Sequence, residues 1–127
     1  MDYGLIFSTM VMSLVFLVGG YSLRKTAKRK INHIIGYRTS LSMKNEDTWA
    51  FANDELGKIW IKIGWFIVPF TILFNAVFAF VKLNCYEMVC LFFVLGEMVV
   101  VFITIAIVES KMRRIFNRDG SRKEELD

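Results

Sequence analysis

Glu97 is the one charged residue between Met88 and Val108. An ionisable side chain in the middle of an apolar helix costs on the order of a few kcal/mol if that helix crosses a bilayer. Such a group is expected to face the interior of a helix bundle or a wet cavity. At the helical rise per residue, Ser13, Asn75 and Glu97 fall at similar depths, roughly 10–15 Å from the ends of their apolar runs. Ser13 and Asn75 are therefore the candidate partners of the carboxyl. A neutral carboxyl there would donate a hydrogen bond to Asn75 and serve as a structural link. A titrating one would couple to protons or hold a ligand. Both readings stay open at this point.

A second constellation lies between Asn32 and Asn53. It holds Asn32, Gly36, Arg38, Thr39, Asn45, Trp49 and Asn53. Gly36 permits a tight turn, and Arg38 offers a planar fork of donors. That fork suits a lipid phosphate, a helix C-terminus, or an acid such as Glu46 or Asp47. Thr39 and Asn45 are placed to cap and fix the turn. Trp49 is expected to anchor a helix at the membrane interface. The segment serves either to fold the loop against the membrane or to dock a partner.

Several chemistries find no support. There is no nucleotide-binding glycine loop, no cluster with metal-ligand spacing and no recognisable nucleophile–base pair, so no catalytic residue, cofactor or metal is assigned. The one histidine, His33, lies in a basic loop and reads as an exposed side chain. Cys85 and Cys90 lack the neighbours of a zinc site, and their pairing as a disulfide is left open. The net charge of +4 reads as membrane orientation and attraction to anionic lipid, not as a nucleic-acid surface.

These residues need elements to hold them. Three apolar runs cover about residues 3–23, 63–81 and 88–108 of a single membrane domain, 1–127. A span needs about 20 apolar residues, and these runs are apolar nearly all the way round, unlike the helices of a soluble bundle. The expected fold is all-α and integral to the membrane, with three transmembrane helices. The first run has Asp2 before it and Arg24, Lys25, Lys28, Arg29 and Lys30 after it, the order of an anchor and not of a cleavable signal peptide. Of 16 Lys and Arg, nine lie in 24–62 and six in 109–127, with only Lys82 between the second and third runs. By the positive-inside rule, loop 24–62 and tail 109–127 are cytoplasmic and the N-terminus is outside.

An amphipathic interfacial helix is expected before the second span. Asn45 is its N-cap and Glu46 and Asp47 suit its first turn. Trp49, Ala52, Leu56, Trp60 and Ile63 form its apolar face, and Asp54, Lys58 and Lys62 a charge ladder. It either runs unbroken into the span or bends near Gly57 or Gly64. Pro69 is expected to kink or loosen the second span. The tail is expected to stay helical briefly, end near Asp119, Gly120 and Ser121, and then lose order.

Each span carries a stripe of small or polar residues: Thr9, Ser13 and Gly20; Gly64, Thr71 and Asn75; Cys90, Glu97 and Thr104. Such stripes let membrane helices approach and bond across a seam. They fit a packed three-helix unit or the interface of a homo-oligomer.

The stretch Asn32-His33-Ile34-Ile35-Gly36-Tyr37-Arg38-Thr39, then Ser42 to Trp49, then Ala52-Asn53 resembles the SdpI family of bacterial membrane proteins. The matching features are Asn32, Ile35, Gly36, Arg38, Thr39, Ser42, Asn45, Trp49 and Asn53, placed just before a transmembrane hairpin. The likeness covers roughly residues 20–110, as a short member. It implies residence in the bacterial cell membrane. It also implies an immunity or resistance role against a membrane-active peptide or envelope toxin, with signalling to a cytoplasmic regulator through the loop. Two other roles are weighed: a small oligomeric proton-coupled transporter using Glu97, and an accessory subunit of a larger membrane complex.

Overall fold

The computed structural model describes residues 2–82 and 84–124. Three helices follow one another: α1 (Tyr3–Ala27), α2 (Glu46–Val81) and α3 (Tyr86–Ile115). All three are long and apolar enough to cross a membrane. At 36 and 30 residues, α2 and α3 are about 54 and 45 Å long, well beyond a hydrocarbon core of about 30 Å. The surplus lies at the basic end of the bundle, where the end of α1, the start of α2 and the end of α3 meet.

Each boundary has a local cause. Asp2 caps α1 by accepting from the Gly4 amide at 2.9 Å. Asn45 and Thr48 form a reciprocal capping box at the start of α2: the Thr48 amide donates to Asn45 Oδ1 at 2.8 Å and the Asn45 amide to Thr48 Oγ1 at 3.1 Å. Glu46 and Asp47 occupy the first turn as expected. Lys58 and Asp54 pair at 2.9 Å across one helical turn. Pro69 lies inside α2, whose helical run is unbroken through it.

Residues 46–62 are the first part of α2 itself and form no separate helix. The first turns of their apolar face are covered by protein. Trp49, Ala52 and Leu56 are buried, and Ala52 and Leu56 share a core with Leu23, Tyr37, Val108, Met112 and Phe116. The face was legible, but a short apolar stripe cannot say whether lipid or protein covers it.

The seam between α1 and α2 is set by small residues. A Cβ on Gly20 would meet the Ile61 amide nitrogen at 2.9 Å and the Gly57 carbonyl at 3.0 Å, and one on Gly57 would meet the Gly20 carbonyl at 2.8 Å. The two backbones touch there, so Gly57 serves close approach and not a bend. At the opposite end, Phe74, Phe78, Tyr86 and Phe93 stack between α2 and α3.

The tail departs from expectation. Past Ile115 it turns back on itself with a bridge between Phe116 and Arg122. The Asn117 amide donates to the Ser121 carbonyl at 2.7 Å and the Lys123 amide to that of Ile115 at 2.8 Å. Asn45 Nδ2 donates to the Gly120 carbonyl at 2.7 Å, and Arg122 grips Asp47 with two bonds of 2.7 Å. Those partners lie some 75 residues upstream, so no local signal announces them. Residues 125–127, the end of the tail expected to be without order, lie outside the described residues.

Candidate functional site

The polar stripes meet along the bundle interior. Thr9, Ser13, Thr71, Asn75, Glu97 and Thr104 are all buried there. In the middle, Ser13 Oγ lies 2.6 Å from Glu97 Oε1 and within hydrogen-bonding distance of Thr71 Oγ1. Thr71 Oγ1 also donates to the Ile67 carbonyl at 2.8 Å. Ser13 is thus a partner of Glu97, as its depth implied.

Asn75 is not. It sits one turn away from Thr71, toward the hairpin end of α2. It donates to Thr9 Oγ1 at 3.1 Å and to the Thr71 carbonyl at 2.9 Å, and accepts from the Tyr86 hydroxyl at 2.8 Å. The sequence estimate slipped by one helical turn, about 5.4 Å, because helix ends cannot be placed more closely from apolar runs. Thr71 takes the position assigned to Asn75.

The chain Glu97–Ser13–Thr71–Ile67 has three links, and its two hydroxyls carry two protons. All three links are made together only when the carboxyl brings a proton of its own. An ionised carboxylate would leave one link unmade. Glu97 is 2% exposed, and its second oxygen, Oε2, has no hydrogen-bond partner among the described residues. The arrangement can therefore act as a neutral clamp joining α1, α2 and α3, or as a carboxyl whose proton controls that clamp.

The loop constellation converges at the basic end, where Gly36, Thr39 and Asn45 shape the turn and the cap as expected while Trp49 and Arg38 do different work. Gly36 has φ of 116°, and a Cβ there would meet Asn53 Oδ1 at 2.8 Å and Trp49 Cη2 at 3.0 Å. The Tyr37 amide donates to Asn53 Oδ1 at 2.8 Å, and Asn53 Nδ2 to the Trp49 carbonyl at 3.0 Å. Trp49 is fully buried, with its Nε1 donating to the Thr26 carbonyl at 3.3 Å. It is a core pillar and not an interfacial anchor. The Thr39 amide donates to Ser42 Oγ at 2.8 Å, and the Ser42 amide to Thr39 Oγ1 at 3.2 Å, which closes the turn. Asn32 accepts from the Ile34 amide at 2.8 Å on the exposed side of the loop. His33 is exposed.

Arg38 is exposed, and among the described residues it makes no ion pair or hydrogen bond with Glu46 or Asp47. Asp47 is taken by Arg122 instead. Arg38 lines a groove of about 470 Å³ together with Leu23, Leu56, Trp60 and Ile105. Trp60 Nε1 donates to Thr104 Oγ1 at 2.9 Å beneath it.

Glu109 was not singled out by sequence. It accepts from the Tyr37 hydroxyl at 2.7 Å and from Thr39 Oγ1 at 3.1 Å, tying the loop to α3. The available signal was an acid directly after an apolar run and ahead of a basic cluster. Burial, together with the bond to Glu109 and its charge, pushes the Tyr37 hydroxyl well above the usual tyrosine range. Cys85 and Cys90 are free thiols, the first exposed and the second buried. No group of metal-ligating side chains occurs among the described residues.

A model of the SdpI/YfhL protein family matches residues 28–108, more than half of the chain. The chain belongs to that family. The SdpI/YfhL match spans the loop constellation, the second helix and the third as far as its apolar run extends. With three helices of spanning length, this SdpI/YfhL member is a multi-pass membrane protein. No curated protein and no solved structure matches it at a significant level.

Proposed function

We propose that this protein protects the membrane holding it against a membrane-active peptide or other envelope toxin, without catalysis. The observation that carries this reading is membership of the SdpI/YfhL family over residues 28–108, the part that builds both the loop nest and the α2–α3 hairpin. In this reading the basic end is cytoplasmic, supported by fifteen of 16 Lys and Arg lying in the end of α1, the loop, the start of α2, the end of α3 and the tail. The interior polar chain and the groove beside Arg38 are the surfaces available to a toxin. Arg38, exposed and without an ion pair among the described residues, is the feature of the loop best suited to a cytoplasmic regulator.

The test is survival. Wild type, Glu97→Gln and Arg38→Ala are expressed in a sensitive bacterium and challenged with a panel of membrane-active peptides, with equal insertion of each protein verified. Protection by wild type that is lost in one variant supports the role and tells whether the intramembrane carboxyl or the loop carries it. A wild type that protects against none of the peptides counts against it.

A second reading rests on the orphaned Oε2 of Glu97. A carboxyl that is 2% exposed with a free oxygen is suited to a proton-coupled exchange. This predicts substrate binding that depends on pH and is abolished by Glu97→Gln. Full activity in Glu97→Gln would end that reading.

A further inference from the structure

The folded tail builds a cleft that neither the protective role nor the intramembrane chain uses. It has a volume of about 660 Å³ and lies between the loop, the end of α3 and the tail. Four cations line it: Lys44, Arg113, Arg118 and Lys123. Phe116, which is 2% exposed, contributes apolar surface. The one carboxylate in the lining, Glu109, is engaged by Tyr37 and Thr39. A smaller adjoining cleft shares Arg113 and Lys123 and adds Arg114.

The cations of this cleft are set apart from others at the same end. Arg24 and Lys58 pair with Asp54, Lys111 with Glu55, and Arg122 with Asp47. None of those ion pairs uses a cation of the cleft. Its only such side chain with a hydrogen bond among the described residues is Lys123, which donates to the Arg113 carbonyl at 2.8 Å. The Asn45–Gly120 and Asp47–Arg122 contacts hold the tail that carries Arg118 and Lys123 against the start of α2, next to Lys44. Four cations against the Glu109 carboxylate, with Asp119 acting on Lys44 from nearby, leave the concavity with an excess of positive charge that favours an anion in it.

Depth narrows the ligand. Arg113 lies five residues beyond Val108, about 7.5 Å past the end of the apolar run. The polar layer of a bilayer is about 5–7.5 Å thick on each side, so Arg113 stands at its outer edge and the cleft is within reach of the headgroups. Guanidinium groups match phosphate oxygens in a planar, two-pronged fashion. We propose that this cleft is a phosphate-binding site, occupied by the headgroup of an anionic phospholipid from the leaflet at the basic end. The lipid phosphate neutralises the cluster and fastens the tail against the loop.

The test uses the full-length protein in detergent, titrated with short-chain phosphatidic acid, short-chain phosphatidylcholine and inorganic phosphate, and read by calorimetry or native mass spectrometry. The double variant Arg113→Gln/Arg118→Gln is compared with Arg29→Gln/Lys30→Gln, which removes the same charge from exposed residues that do not line the cleft. Circular dichroism verifies that both remain helical. Phosphatidic acid is expected to bind best, with a loss of about tenfold or more in the cleft variant, as when two charge-assisted bonds are removed, and little loss in the control. Phosphate binding as tightly as the lipid, with the same loss, supports the site but overturns the lipid as its source. Equal losses in both variants, or no preference for phosphatidic acid over phosphatidylcholine, overturn the proposal.

Discussion

Ser13 and Glu97 join α1 to α3 through atoms 2.6 Å apart, in the middle of apolar spans and 84 residues apart in sequence. Glutamine at position 97 keeps a donor for Ser13 without a titrating group. Glu97→Gln is therefore expected to unfold close to wild type, whereas Ser13→Ala is expected to lose about 1 kcal/mol, the scale of hydrogen bonds between membrane helices. Denaturant titration of the helical signal in mixed micelles measures both. A Ser13→Ala protein as stable as wild type would show that the link carries no stability.

Gly36→Ala is expected to cost about 1–3 kcal/mol, because alanine must adopt a φ of 116° and its methyl group meets Asn53 Oδ1. The damage should be local, with loss of the Tyr37 amide bond to Asn53. Amide exchange at Tyr37 should accelerate while that of the spans stays slow. Unchanged exchange at Tyr37 would contradict the role given to Gly36.

Tyr37 should be among the last tyrosines to ionise. Its value in the folded protein is raised above that of the unfolded chain, chiefly by burial and then by Glu109. The resulting stability is complete below about pH 10, the unfolded value, and is lost as pH rises through the folded one. Tyrosinate absorbance on raising the pH should show a late phase that Tyr37→Phe removes. Glu109→Gln should bring that phase earlier without restoring ordinary behaviour, since burial remains.

Acid should release the tail. The Arg122 guanidinium holds the Asp47 carboxyl below the usual carboxylate range. The contribution of that pair is present above the unfolded value, about 3.9, and is lost as pH falls through the folded one. Both side chains are half exposed, so the effect belongs to tail docking and not to global stability. Limited proteolysis near Arg118 should quicken in Asp47→Asn at neutral pH. Acid should produce the same change in wild type, measured with an acid-tolerant protease. A tail equally resistant in the variant would show that the other tail contacts suffice.

What the sequence settled by itself is what local chemistry and solvent dictate. Three long apolar stretches, two of them free of charge, require three apolar helices, and the lone Glu97 of the third requires an interior to face. Asn45 with Thr48 and the following acids forces a helix start, because the groups that satisfy the free amides lie within one turn. The Asn32–Asn53 pattern marked the family. Only the tertiary structure decided which partners met. Thr71 took the place given to Asn75, because one turn of register depends on how α1 and α2 slide along their glycine seam. Trp49 was buried, because Thr26 and Gly36 came to lie against it. The tail found Asn45 and Asp47, and Glu109 found Tyr37, across separations that leave no trace in spacing. Such contacts depend on the relative placement of whole helices, which no single stretch of sequence encodes.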